Sequence, residues 1–183
     1  ALINLDGTEK KLVTDFQDGS WMQTPKWSPD GTKIALAIFR NYRQNIYLYD
    51  VEADTFEALT WDAWEEMDME WSADGKELFF TADPTGVHNI YAMDLESRDV
   101  RQITNVIGSA QCPLLTPEGN LVYNYYTAHG YKVYGLDRAD FLNKDATALF
   151  GVPQQEEVAA NWAYSEDLTH FEAKTHPYRW TKS

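Results

Sequence analysis

The sequence predicts an all-β chain made of β-propeller blades, each a sheet of four antiparallel strands. Three observations carry the prediction. Trp27-Ser28-Pro29-Asp30-Gly31 returns 44 positions later as Trp71-Ser72-Ala73-Asp74-Gly75, and after another 44, more loosely, as Leu115-Thr116-Pro117-Glu118-Gly119. A fixed period in the forties is the mark of a repeat array. Within each unit the apolar residues fall into four short runs with a period of two rather than 3.5 or 3.6, and four strands per unit is the content of a propeller blade.

The chain opens on the end of a repeat. Residues 1–6 read as a strand, Asp6-Gly7 as a turn and residues 11–14 as the next strand; Asp6, Asp50 and Asp94 share the 44-residue interval, which makes residues 1–20 a half-blade. The first full blade covers about 21–60. Its inner strand is 23–27, and Pro29-Asp30-Gly31 reverses the chain, with glycine supplying the positive φ of such turns. Residues 33–39 are apolar on both faces, as in a strand held between two neighbouring sheets. Residues 41–45 read as a polar loop, 45–50 as the third strand and 56–60 as the fourth.

The second blade, about 65–104, repeats these features: Leu78 stands for Ile34, Asn89-Ile90-Tyr91 for Asn45-Ile46-Tyr47, Asp94 for Asp50 and Ile103-Thr104 for Leu59-Thr60. The third, about 109–150, is looser. Leu121-Val122-Tyr123 and residues 133–137 supply its middle strands, and residues 147–150 its expected fourth. The repeat fades from Gly151, so 151–183 read as a C-terminal tail or linker.

Composition narrows the partners. Fifteen Lys and Arg against 29 Asp and Glu give a formal charge of −14 over 183 residues. Such a surface repels phosphate backbones and anionic lipid, which excludes nucleic acid as a partner; its plainest consequence is solubility. The lone Cys112 excludes a disulfide within the chain. No apolar run approaches the roughly eighteen residues of a membrane-spanning helix, so no direct membrane insertion is expected of this chain.

Trp-Ser-Pro-Asp-Gly followed by Lys33-Ile34-Ala35, then Asn45-Ile46-Tyr47 with Asp50, then Leu59-Thr60, resembles the PD40 or TolB-type repeat, a WD40-like β-propeller family common in bacterial envelope proteins. The resemblance covers 25–60 and 71–104 best, then 113–137, and partly 1–14. Met69 departs from the usual Pro, Ala73 from Pro29, and Leu115-Thr116 from Trp-Ser. The resemblance implies a non-catalytic propeller scaffold that mediates protein–protein interaction in the periplasm or cell envelope. About 3.5 blades do not close a ring, since closed propellers hold four to eight. The expectation is therefore part of a larger propeller of six to eight blades, with open blade edges as a route to self-association.

The same resemblance extends to propellers that gate prolyl oligopeptidase-type peptidases or stand beside amidohydrolase domains, which gives an enzyme part as the alternative. A further alternative is a periplasmic propeller preceding an outer-membrane β-barrel, since residues 176–180 resemble the linkers that lead into such barrels.

The acidic link 61–71 is the candidate partner-binding site. Asp62, Glu65, Glu66, Asp68 and Glu70 lie between the outer strand of one blade and the inner strand of the next, where a propeller presents one face of its disc. Carboxylates can hold Ca²⁺, but this spacing matches no EF-hand loop; the plainer reading is a solvated acidic loop with Trp61 and Trp64 anchored between blades. No other cofactor or metal is expected. His170, Glu172 and His176 lack His-Glu-x-x-His spacing, and Ser165, Asp167 and His170 come without a Gly-x-Ser-x-Gly elbow. His88 and His129 read as surface loop residues, and Cys112 as a buried small apolar residue. No catalytic residue is assigned.

Overall fold

The computed structural model describes residue 2, residues 11–14, residue 16 and residues 18–151. Expectations that fall on the other residues, including His170, Glu172, His176, Ser165 and Asp167, lie outside the described residues. Among the described residues the architecture is all-β, with three antiparallel sheets and two 3₁₀ turns. The first sheet runs β1 (Trp21–Trp27), β2 (Lys33–Arg40), β3 (Arg43–Asp50), β4 (Thr55–Ala58) in spatial order. In the second, β5 (Glu66–Trp71), β6 (Glu77–Ala82), β7 (Asn89–Asp94) and β8 (Val100–Gln102) lie side by side in the same way. The third holds β9 (Ser109–Leu115), β10 (Leu121–Thr127) and β11 (Gly130–Leu136). A short β12 (Lys144–Asp145) is added outside β8.

Each conserved-looking spacing in the repeat has a bonding job. In the first turn the Ser28 hydroxyl donates to Asp30 Oδ1 (2.6 Å) and accepts from the Lys33 N–H (2.9 Å), while Gly31, at φ 72°, donates its N–H to the Ser28 carbonyl. Ser72, Asp74 and Gly75 make the same set, with hydroxyl-to-carboxylate distance 2.7 Å and φ 71°. Asp50 and Asp94 end their strands by accepting two backbone N–H bonds each, from Glu52 and Ala53 and from Glu96 and Ser97. Such short acidic side chains trade ladder bonds for turn bonds. Thr60 and Thr104 accept from the N–H groups of Ile46 and Ile90 (3.0 and 2.9 Å), where the fourth strand leaves the third.

The core lies between sheets. On β2, Ala35 and Ala37 turn toward the second sheet, where Leu78, Phe80 and Tyr91 fill the space they leave. The alternate residues Ile34, Leu36 and Ile38 face the other way, with Leu2, Val13, Phe16 and Met22 against them. On β6, Phe79 faces the third sheet and meets Ala110, Leu121 and Tyr123. Period-two alternation with both faces covered is the signature of stacked sheets.

Two expectations change. The polar loop at 41–45 shrinks to Asn41 and Tyr42, both at positive φ (51° and 62°), with Arg40 paired to Arg43; a two-residue hairpin of type I′ needs that conformation at both positions. Residues 147–150 do not form a fourth strand on the third sheet. After β11 the chain turns through 3₁₀ residues Arg138–Asp140 and runs back as a strap over the second sheet, through β12 and a second 3₁₀ turn, Thr147–Leu149. Apolar burial explains the reversal: Phe141 packs on Phe79 (ring centroids 6.2 Å), and Phe150 enters the seam between the first two sheets against Phe80 and Tyr91 (5.5 and 5.2 Å). The strap is also hydrogen-bonded along β8, Leu142 to Ile103, Ala146 to Val100, and Val100 to Thr147.

Candidate functional site

The antiparallel order places the β2–β3 and β6–β7 turns at one end of the sheets, with the links β4–β5 and β8–β9. The Gln44–Glu65 bridge and the bond from Ala110 N–H to the His88 carbonyl (2.9 Å) bring these loops together across sheets. This end forms a rim. Tyr42 at the tip of the tight hairpin and Ile107 in the β8–β9 link are each 96% exposed on it. Burying either large apolar side chain in a partner would gain about 1.5–3 kcal/mol of hydrophobic transfer.

The five carboxylates of the 61–71 link do not converge. Glu65 is exposed on the rim, 3.4 Å from His88 Nε2, and its N–H donates to Asp83 Oδ1 (2.9 Å). Glu70 is largely covered and pairs with Lys26 across the first two inner strands (2.6 Å). Asp68 occupies a bulge of β5, accepting from the Thr81 hydroxyl (3.4 Å) and the Cys112 N–H (3.3 Å). Asp62 is half-buried and accepts from the N–H groups of Trp64 (3.0 Å) and Gly151 (3.4 Å). Glu66 is fully buried, so it presents nothing to a partner's surface: the expectation of one continuous acidic patch stops at the start of β5, where the period-two alternation turns this side chain inward.

Burial pushes the Glu66 carboxyl well above the ordinary carboxylate range, and the neighbouring Asp62 carboxylate pushes it the same way; the Thr60 hydroxyl and the Ile46 N–H (3.2 Å) hold it partly back. Burial also raises Asp62, against the N–H groups of Trp64 and Gly151. Cys112 is exposed rather than buried: the β9 bulge, with Cys112 at φ 55°, turns its side chain out of the packed face. Its thiol lies above the usual range through desolvation first and the Asp68 carboxylate second. His129 is an exposed loop residue, as expected. Among the described residues no group of three or more His, Cys, Asp or Glu is placed to hold a metal ion, and no helix is long and apolar enough to cross a membrane.

At the opposite end, the two Ser-x-Asp-Gly turns flank a cleft of about 480 Å³ between the first two sheets, lined by Pro29, Asp30, Trp71, Asp74, Glu57 and Arg98. The Glu57–Arg98 ion pair spans it. Sequence reasoning missed the two most exposed large apolar residues of the rim. Tyr42 was hidden inside an apparent polar loop, and its only signal is an aromatic residue next to Asn in a hairpin-length gap. Ile107 is marked by an apolar residue beside Gly108 in a link.

Comparison with known proteins agrees with this architecture. Residues 1–149 match the family model described as TolB beta propeller domain, PD40. The chain is 31% identical over 110 residues to the Tol-Pal system protein TolB of Gluconobacter oxydans, an alignment covering 60% of this chain and 24% of that protein. It is 30% identical over 124 residues to the uncharacterized peptidase YuxL of Bacillus subtilis, covering 62% of this chain and 19% of the relative. Among solved structures, TolB from Acinetobacter baumannii superposes with a TM-score of 0.65 at 30% identity, over 78% of this chain and 36% of that one. The chain thus spans about a quarter or less of the curated relatives it matches.

Proposed function

This chain belongs to the TolB β-propeller family, and from that premise we propose that it is a non-catalytic scaffold that binds another protein in the bacterial cell envelope, through the rim that carries Tyr42, Glu65 and Ile107. The observation that carries the reading is the pair of large apolar side chains, each 96% exposed, on loop tips at one end of the stacked sheets. Folding gains nothing from leaving them in water, whereas an apolar anchor with a charged neighbour is the usual anatomy of a docking site. The similarity to a protein named for the Tol-Pal system supports a protein partner and a periplasmic setting. The half-buried Asp62 belongs to this surface only at its edge, and the Asp68 carboxylate is directed to Cys112.

Site-specific photo-crosslinking in bacterial cells that make the whole protein tests the proposal. Photoreactive residues at Tyr42 and Ile107 are expected to trap one discrete protein, and the same residue at Ala73, on the opposite end, is not. Equal yields at the three positions would refute a rim-specific site.

The similarity to YuxL supports a second reading, in which these sheets are the propeller part of a larger peptidase. There the rim would face a neighbouring domain of the same chain, and the crosslinks from Tyr42 and Ile107 would be intramolecular.

A further inference from the structure

The strap that leaves the third sheet is fastened to the seam between the first two sheets by a polar node built on two carboxyls. The Trp64 indole N–H donates to the Leu149 carbonyl (2.6 Å), and Asp62 Oδ2 accepts from the Gly151 N–H (3.4 Å), so the two bonds flank buried Phe150. Asn45 Nδ2 holds the Asp62 carbonyl (3.4 Å), and Gln44 Nε2 holds the Glu66 carbonyl (2.8 Å). Beneath them the Glu66 side chain is fully buried. Its Oε2 meets the Thr60 hydroxyl and the Ile46 N–H, while its Oε1 is buried with no hydrogen-bond partner among the described residues. A buried carboxyl oxygen in that position is costly if it carries charge.

The other charged and titratable groups near the node have partners of their own: Arg40 of β2, which acts on the Tyr47 phenol, pairs with Asp18 (3.1 Å). From β3, Arg43 acts on Asp62 and favours its charged form, and Tyr47 is a buried phenol whose own proton is held by desolvation. Asp83, from the β6–β7 loop, accepts the Glu65 N–H, and His88 faces the Glu65 carboxylate. Among the described residues, the strap contributes the Leu149 carbonyl and the Gly151 N–H to the node.

We propose that Glu66 and Asp62 hold one proton between them, carried by Glu66 while Asp62 stays ionised, and that this proton latches the strap, residues 144–151, onto the seam between the first two sheets. With Glu66 neutral, the Asp62 carboxylate is free to accept from Trp64 and Gly151. Once the proton leaves, two negative charges face each other in a desolvated site, and the relief open to them is outward movement of Asp62 with the strap it holds. The latched form binds a proton that the open form releases, so opening is favoured as pH rises. Burial of Glu66 and its proximity to Asp62 both act in that direction.

Hydrogen exchange of the 144–151 segment, in the whole protein and in Glu66→Gln, across about pH 5 to about pH 9, tests the latch. Glutamine keeps the shape and a donor but has no proton to lose. The ratio of wild-type to Glu66→Gln exchange rates is expected near one at the acid end, rising by up to about tenfold per pH unit between the ordinary carboxylate range and the raised range of the latched form, and level above it. Segments within β7 serve as the internal reference. A ratio that stays flat across the range overturns the proposal. Should Glu66→Gln fail to fold, difference infrared of the wild type decides: a protonated carboxyl band that persists above about pH 6 supports the shared proton, and its absence overturns it. Asp62→Asn is expected to make strap exchange follow Glu66→Gln, since it removes the facing charge.

Discussion

Asp68 and Cys112, one repeat apart in sequence, meet across neighbouring inner strands: Asp68 Oδ2 accepts the Cys112 N–H at 3.3 Å and lies 3.5 Å from Sγ. Thr24 is the matching position in the first sheet, and all three residues sit at a bulge with positive φ, 49°, 55° and 55°. A left-handed conformation costs a non-glycine residue on the order of 1 kcal/mol, so the stacked sheets impose it at the same place in each repeat. The bulge aims each side chain sideways, which is why Asp68 reaches the next inner strand.

That contact predicts the chemistry of the thiol. Desolvation and the Asp68 carboxylate both hold the Cys112 thiol protonated, so alkylation at neutral pH should be slower than that of a free cysteine despite its exposure. Asp68→Asn removes the charge and should speed the reaction several-fold, with the pH–rate curve moving to lower pH. An unchanged curve would mean that the carboxylate does not act on the sulfur.

The turn aspartates set the acid limit of stability. Asp30 and Asp74 are held below the ordinary carboxylate range first by the Ser28 and Ser72 hydroxyls; Asp50 and Asp94 are held there first by the N–H groups of Ala53 and Ser97. A carboxyl depressed in the folded state stabilises above its unfolded value and loses that contribution as pH falls through the folded one. Melting temperature should therefore drop below about pH 4. Replacing Asp50 and Asp94 together by Asn should flatten that drop and lower the melting temperature at pH 7; equal slopes for variant and wild type would contradict it.

These turns were also the most legible part of the sequence, because Ser28-Pro29-Asp30-Gly31 and its copies encode their own bonds within a few residues. The central strand β2 was legible as a strand covered on both faces, because its short run is apolar throughout; which of its side chains enters which seam was not, since both alternating sets are apolar. The fate of residues 137–151 was not. Nothing in Thr147-Ala148-Leu149-Phe150 distinguishes a fourth strand from a strap, and the choice is made by Phe141 and Phe150 finding cavities in sheets formed by distant residues. Glu66 was misplaced on the surface because its acidic neighbours mask the inward phase of β5, and Tyr42 was missed because hairpin length depends on the pairing of Arg40 with Arg43.

The repeated tryptophan gives a prediction that separates equivalent positions. Trp71 is 6% exposed and its indole N–H donates to the Lys26 carbonyl of the preceding sheet (3.1 Å), whereas Trp27 is 51% exposed. Trp71→Phe deletes a buried hydrogen bond and part of a filled volume, and should cost about 1–3 kcal/mol in denaturant unfolding. Trp27→Phe should fall within about 0.5 kcal/mol of wild type. Equal losses at the two positions would show that the repeat, not the neighbouring sheet, determines the contribution of this residue.

Gly108 fixes the link that presents Ile107. A Cβ there would run into the Tyr126 carbonyl and touch the Tyr125 ring. The carbonyl cannot retreat, because β10 is paired on both sides, Tyr126 with Ser109 on one edge and with Tyr131 on the other. Gly108→Ala should therefore lower stability by about 1–3 kcal/mol, with the loss concentrated in the third sheet and read as faster hydrogen exchange in β9 and β10. Gly135 provides the control: it lies on the open β11, has no atom within 4 Å of an added Cβ, and Gly135→Ala should be neutral or slightly stabilising. Ile107→Ser, at a 96% exposed side chain, should leave unfolding unchanged while weakening the crosslinking partner's capture at the rim. If Gly108→Ala proves as stable as Gly135→Ala, the 105–108 link does not close against β10, and the placement of Ile107 beside the β6–β7 loop fails with it.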